Sequence, residues 1–162
     1  MAKHKVLKSV AHNIGASFTS LMNYAQDDYV MGKLVTYARS SGETSFFIDF
    51  MSSKWSPIFD KRPLERVGSF YTKMFWENVE RQGSDRALVK SARLDLAFDI
   101  TKKKPAAGGL SEESPYKCTV TLIDDRGVDY SRTLSGWWFP EPYQPPAGLR
   151  GWLLRLRWRF GV

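Results

Sequence analysis

The sequence is poor in the residues on which most catalytic and metal chemistry depends. It has one cysteine and two histidines in 162 residues. A single Cys118 excludes an intrachain disulfide. With only His4 and His12 beside it, the chain lacks the ligands of an ordinary zinc site, and no HExxH occurs. There is no GxSxG nucleophile elbow, no GxxxxGK[ST] phosphate loop and no GxGxxG, and Gly108-Gly109 are not followed by a basic helix start. No cofactor is therefore expected. No apolar run approaches the roughly 18 residues of a membrane-spanning helix. The N-terminal region has no acid before Asp27, and Lys, Ser, His and Asn interrupt its apolar residues. It has no secretory h-region. Its basic, amphipathic, serine-containing character is similar to an organelle transit peptide, but it has no arginine, and a permanent first helix is expected.

What is present is ordinary in bulk and uneven in placement. Hydrophobic residues make up 43% and charged residues 25%, which places the chain among folded domains. Aromatic residues reach 14%, with six tryptophans. Such side chains fill cores and are enriched at binding surfaces. The net charge is +7. Lys3, Lys5 and Lys8 have no acid among the first eight residues, and Arg150, Arg155, Arg157 and Arg159 have none after Glu141. These two ends account for the whole surplus, so residues 9–149 are balanced. Lys102, Lys103 and Lys104 form a local run in the middle. A nucleic-acid domain more often spreads its excess over one folded face.

Periodicity gives the elements. Val6, Val10, Ile14, Phe18 and Leu21 recur every three or four residues, which predicts an amphipathic helix over about 3–24 with Lys5, Lys8 and His12 off its apolar stripe. Gly15 interrupts it, and close approach of another backbone is the expected reason. A second helix, capped by Asp27 or Asp28, ends at Ser41-Gly42. TSFFIDF, 44–50, reads as a strand. Residues 51–62 read as a loop anchored by Trp55, Ile58 and Phe59. Pro63 then suits the first turn of a third helix with the stripe Leu64, Val67, Tyr71, Met74 and Phe75, a Glu77–Arg81 pair, and Gly83 as its stop. The period next changes to two. Leu94, Leu96, Phe98 and Ile100 point one way, and Arg93, Asp95, Ala97 and Asp99 the other. Residues 102–114 read as a flexible loop, and YKCTVTLIDDRGVDYSRTL as a hairpin turning at Asp124-Asp125-Arg126-Gly127. The order α-α-β-α-β-β-β predicts a single α+β domain over 1–162. It has a mainly antiparallel sheet of about four to five strands and three helices on one face. The strands near residues 44 and 90 flank a helix and could be parallel neighbours, though the loop over 51–62 before that helix leaves their relative direction open. Residues 137–149 are a proline-rich connector to a C-terminal strand, 150–162.

That last stretch contains GWLLRLRWRFGV. On a strand, Arg155, Arg157 and Arg159 project to one side roughly 6.5–7 Å apart, whereas on a helix they make no clean polar face. An arginine row serves a wet, aggregation-resistant strand face, an anion-binding surface, or, with its tryptophans, a membrane surface.

The chemical candidates are few. Cys118 alternates with Val120 and Leu122 and is expected to be a buried, inert thiol. Asp95 and Asp99 share a strand face about 13–14 Å apart, too far for one metal ion, though Asp49 could lie beside either with Lys90 or Lys102 near. His12 could act as a base but is expected at the surface. Asn23, Tyr24, Asp27 and Asp28 mark a helix junction that fits capping or a small-ligand site.

The sequence thus points to a non-catalytic cytoplasmic protein that docks onto an acidic macromolecular partner. In size and lack of motifs it resembles small bacterial antidotes and adaptors as a class. The expected contacts are Arg155, Arg157, Arg159 and the exposed members of Trp137, Trp138 and Trp152. One alternative is nucleic-acid backbone binding by the same arginines with Lys3, Lys5, Lys8, Lys102, Lys103 and Lys104. The other is a cryptic enzyme using the sheet-face aspartates or the helix junction.

Overall fold

The computed structural model describes residues 2–19, 30–105 and 112–138. The expected helix junction at Asp27 and Asp28, residues 106–111, the proline-rich connector beyond Trp138, and the C-terminal strand with Trp152, Arg155, Arg157 and Arg159 lie outside the described residues. The helices are a short lead-in α1 (Ala2–Lys5), α2 (Leu7–Thr19), α3 (Val30–Ser41) and α4 (Val67–Arg81). The strands are β1 (Ser45–Asp49), β2 (Lys54–Trp55), β3 (Val89–Phe98), β4 (Lys104–Pro105), β5 (Glu112–Asp124) and β6 (Arg132–Trp138). They form one six-stranded sheet in which every pairing is antiparallel. The fold is α+β, as the periodicities indicate.

The sheet is sided by alternation. Phe46 and Ile48 on β1, Leu94, Leu96 and Phe98 on β3, and Cys118, Val120 and Leu122 on β5 are buried. The helices cover this face. α2 packs on β5 and β6, α3 on α2 and β6, and α4 on β1. The expected stripe of α2 is met by Val10, Ile14 and Phe18, and Leu7 and Ala11 join it. Each fully buried Leu, Ile or Phe here contributes about 1.5–3 kcal/mol. Phe50 stacks on Phe75 at 4.6 Å, and Phe18 meets Tyr71 edge-on at 4.9 Å, which joins β1 and α2 to α4. At Gly15 it is side chains that come close, not another backbone. A β-carbon there would stand 2.9 Å from Leu134 Cδ1 and 3.4 Å from Val120 Cγ2.

One open point is decided and three expectations are corrected. β1 and β3 are neighbours and antiparallel, because the chain reverses through β2 and a 3-10 turn at Pro57–Asp60 before α4 begins. α4 starts at Val67, not beside Pro63. Leu64 is buried from a preceding turn, where its N–H bonds to the Lys61 carbonyl at 2.7 Å. Glu77 faces Lys73 at 3.8 Å and not Arg81. Finally, the loop over 102–114 is partly sheet. Lys104 and Pro105 pair with Glu113 and Glu112, and β5 therefore begins at Glu112.

The tightest helix contact is Gly68 against the indole of Trp55, whose Nε1–H bonds to Asp60 Oδ1 at 2.9 Å. A β-carbon at Gly68 would stand 2.3 Å from Trp55 Cδ2 and 2.7 Å from its Cε3, far inside contact distance. Gly68→Ala is expected to expel the indole and lower stability by about 1–3 kcal/mol, the usual cost of overpacking. Urea denaturation followed by tryptophan emission reads both effects.

Candidate functional site

The sheet face opposite the helices carries Asp49, Arg93 and Asp95. Phe47, Asp95, Thr119 and Thr133 lie in one cross-strand row, and Ser45, Ala97, Lys117 and Ser135 in the next. Asp49, Arg93 and Thr121 make a third. Arg93 lies over the Phe47 ring, 4.3 Å from its centroid, and its Nε donates to both Asp95 oxygens at 3.0 and 3.1 Å. Trp137, opposite Pro115, is 37% exposed and carries Lys104 Nζ 4.4 Å from its ring. Trp138 points the other way and is 5% exposed, packed edge-on against Tyr116. Of the two described tryptophans proposed as contacts, the strand parity therefore leaves Trp137 accessible and assigns Trp138 to the core.

The lysine run does not act as one patch. Lys102 faces Asp99 at 3.9 Å, and Lys104 is shared between Trp137 and Glu113, 3.8 Å away. Of these three, Lys103 is exposed and forms no ion pair among the described residues. Lys3, Lys5, Lys8 and His12 are all exposed on α1 and α2, neither of which contains an acid.

The sheet-face aspartates share a face but do not converge. Asp49 Oδ1 accepts from the N–H groups of Met51 and Ser52, and Asp99 Oδ1 from the N–H and hydroxyl of Thr101. The Thr101 hydroxyl first, with the Thr101 N–H and the nearby Lys102 charge, holds the Asp99 carboxyl below its ordinary value against the opposing effect of burial. The same local pattern recurs at Asp85, Asp124 and Asp129, each accepting from the N–H two residues on. It is the turn-forming hydrogen bond for which short carboxylates are favoured in loops. Asp60 accepts from Trp55, Asp95 from Arg93, and Asp125 meets His4. Every aspartate among the described residues is thus engaged inside the molecule.

Asp124 is the extreme case, and the sequence marks it only as a turn residue. It is fully buried at the end of β5. Its Oδ1 accepts from the N–H groups of Arg126 and Val128 at 2.8 and 2.9 Å. Its Oδ2 accepts from the Arg126 guanidinium at 3.0 Å and the Tyr130 hydroxyl at 3.0 Å. Burial alone would raise its pKa. The bonds from Val128, Arg126 and Tyr130 outweigh burial and hold the carboxyl far below the ordinary carboxylate range. Next to it, His4 Nε2 lies 2.9 Å from Asp125 Oδ1 and pins α1 to the hairpin turn. His4, Asp124 and Asp125 are the one group among the described residues whose potential metal-ligand atoms lie within 4.8 Å of one another. The acceptors of Asp124 are already filled by four donor groups, so the cluster reads as a structural clamp.

Cys118 lies opposite Leu96 and Leu134 and is completely buried. Burial first, and the Asp95 charge second, push its thiol up to about 12. It carries no thiolate at neutral pH and lacks nucleophilic character. Among the described residues no helix is long and apolar enough to cross a membrane. No family model, no curated protein and no solved structure matches the chain.

Cys118 is expected to resist a thiol reagent such as DTNB in the folded protein and to react stoichiometrically in denaturant. Rapid native labelling would contradict its placement. For Asp124 the folded pKa lies below the unfolded value of about 3.9. The folded state therefore gains stability above that value and loses it as pH falls through the window below about pH 4. Asp124→Asn is expected to lower the melting temperature at pH 7 by several degrees and to flatten the acid limb of the stability profile. Thermal melts from pH 7 to pH 2 measure both.

Proposed function

We propose that the protein is a non-catalytic, antidote- or adaptor-like binding protein of a reducing, cytoplasmic compartment that docks onto a protein partner with an acidic surface. One observation carries this reading. Every aspartate among the described residues is engaged by an internal hydrogen bond or ion pair, while Lys3, Lys5, Lys8, Lys90, Lys103 and Lys117 form no ion pair among the described residues. The aspartates keep their charge, but their oxygens are turned inward, whereas these ammonium groups are available to the carboxylates of a partner. The arginines of the tail, Arg155, Arg157 and Arg159, add to the same sign. Trp137, half-exposed beneath a lysine, is the described aromatic side chain suited to an interface. An enzyme would need titratable groups with open acceptors facing one point, and the aspartates put forward for that role are saturated locally. The buried, protonated Cys118 suits a reducing compartment.

The test is capture on the tagged protein from its native lysate at low and moderate salt, with and without nuclease, alongside R155A/R157A/R159A and W137A. A stoichiometric protein retained after nuclease, and weakened by both variants, is the expected result. Retention that disappears with nuclease would transfer the function to nucleic-acid backbone binding. Retention indifferent to both variants would remove the proposed contacts.

A further inference from the structure

We propose, resting on the reading above, that the partner docks at the open edge of β6 by adding an extended, acidic segment of its own chain as a further strand of the sheet. The two edges of the sheet differ. On the β1 side the edge is closed by β2 and by Ser56. The Phe47 N–H donates to the Ser56 hydroxyl at 2.9 Å, and the Ser56 N–H donates to the Phe47 carbonyl at 3.0 Å. On the other side, β6 pairs with β5 from Arg132 to Trp138 without a register shift, and no described strand lies beyond it. The Tyr130 N–H donates to the Leu122 carbonyl at 2.8 Å, which sets the phase of the ladder. By the alternation of an antiparallel pair, Arg132, Leu134, Gly136 and Trp138 turn their backbone groups to β5, and Thr133, Ser135 and Trp137 turn theirs outward. These three residues are exposed, and their outward N–H and carbonyl groups have no partner among the described residues. Proteins ordinarily blunt such an edge with proline, lysine, a bulge or a very short strand. β6 has seven residues, no proline, no lysine and no bulge.

The charges around this edge select an acidic occupant. β6 has no acid and begins with the exposed Arg132. Lys117 stands opposite Ser135 on β5, exposed and without an ion pair among the described residues. An added strand would lie two strand spacings from Lys117, roughly 9–10 Å. The small Ser135 between them lets the lysine reach a carboxylate on that strand. Of the nearby acids, Glu113 is held by Lys104 and Asp129 by the Ser131 N–H, and Glu112 lies two residues past the last pair with β6. The main chain of Thr133, Ser135 and Trp137 thus supplies the bonding, and Lys117 and Arg132 the preference for acidic side chains. A second copy of the chain would bring two sets of these cations together around two strands that carry no acid. The chain's own tail has arginines and no acid after Glu141. A nucleic acid has no peptide groups with which to continue a sheet.

The experiment uses the full chain, with fluorescence anisotropy for binding and NMR-detected amide exchange for its location. The probes are an extended peptide alternating Glu and Val, the same peptide with Gln, and the Glu peptide methylated on its backbone nitrogens. The Glu peptide is expected to bind and to slow exchange at Thr133, Ser135 and Trp137, which exchange fast in the free protein. The Gln and N-methylated peptides, and the Glu peptide on K117E/R132E, are expected to bind about tenfold more weakly or worse. Ser135→Pro removes an outward N–H and leaves the bonds to β5 in place, a change that an edge strand tolerates. It is expected to weaken both peptide binding and lysate retention, with the melting temperature recorded alongside. K117E/R132E, a pair of exposed changes, gives the same test without a proline. Failure of the Glu peptide to bind, or equal binding of the N-methylated peptide, would overturn the proposal. So would slow exchange at the three amides in the free protein, which would show the edge already covered by the tail or by a second copy. If lysate retention ignores S135P and K117E/R132E but depends on Arg155, Arg157 and Arg159, the edge is excluded and the broader reading survives. If it depends on none of them, both fall.

Discussion

The structure depends on the alternation of β5. This strand runs thirteen residues from Glu112 to Asp124 and pairs with β3, β4 and β6. Cys118, Val120 and Leu122 face the helices, while Lys117, Thr119 and Thr121 face away. A slip of one residue against β3 would drive Lys117 and Thr119 into the core and lift Val120 out of it, so the register is strongly determined. The strand ends on Asp124, whose buried carboxylate gathers the backbone of the turn. Asp125 then receives His4, and Gly15 lets α2 settle on Val120 and Leu134. α1 through His4 and α2 through Gly15 are thus both fixed to the β5–β6 ribbon, a part of the chain distant in sequence.

Much of this architecture was legible from period alone. The stripe Val10, Ile14 and Phe18 and the alternation Leu94, Leu96 and Phe98 each report a single buried face, and burial of one face is what those spacings encode. The rest depends on partners. β2 and β4 are two residues long, and no period exists in two residues. The antiparallel direction of β1 and β3 is decided by a reversal in the intervening chain. Leu64 has helical spacing to Val67 yet is buried from a turn. Glu77 has cations at both i−4 and i+4, and geometry selects Lys73.

The candidate site was legible only in part, because chemical type does not reveal whether a side chain is already engaged. Trp137 and Trp138 are identical and adjacent, and opposite parity makes one accessible and the other core. The lysine run at 102–104 divides among Asp99, Trp137 and Glu113. Cys118 was readable, since alternation with Val120 and Leu122 placed it directly. Asp124 was not readable beyond its turn, because two of its four donors come from side chains, Arg126 in the turn and Tyr130 beyond it, that only the folded hairpin brings to it.

The separation of the two charge signs is what connects the fold to a binding role. Asp has a short side chain that reaches the N–H two residues ahead, so an aspartate at a turn is drawn into the backbone. Lysine has no comparable local acceptor and extends into solvent. A chain that puts its aspartates at turns therefore directs their oxygens inward, while its lysines are left to reach outward. Residues 9–149 are neutral by count, and the aspartates described among them are held by internal bonds, while lysines such as Lys90, Lys103 and Lys117 form no ion pair among the described residues. The aspartates remain ionised, so the net charge is unchanged. What the fold decides is which sign has side chains left to make contacts.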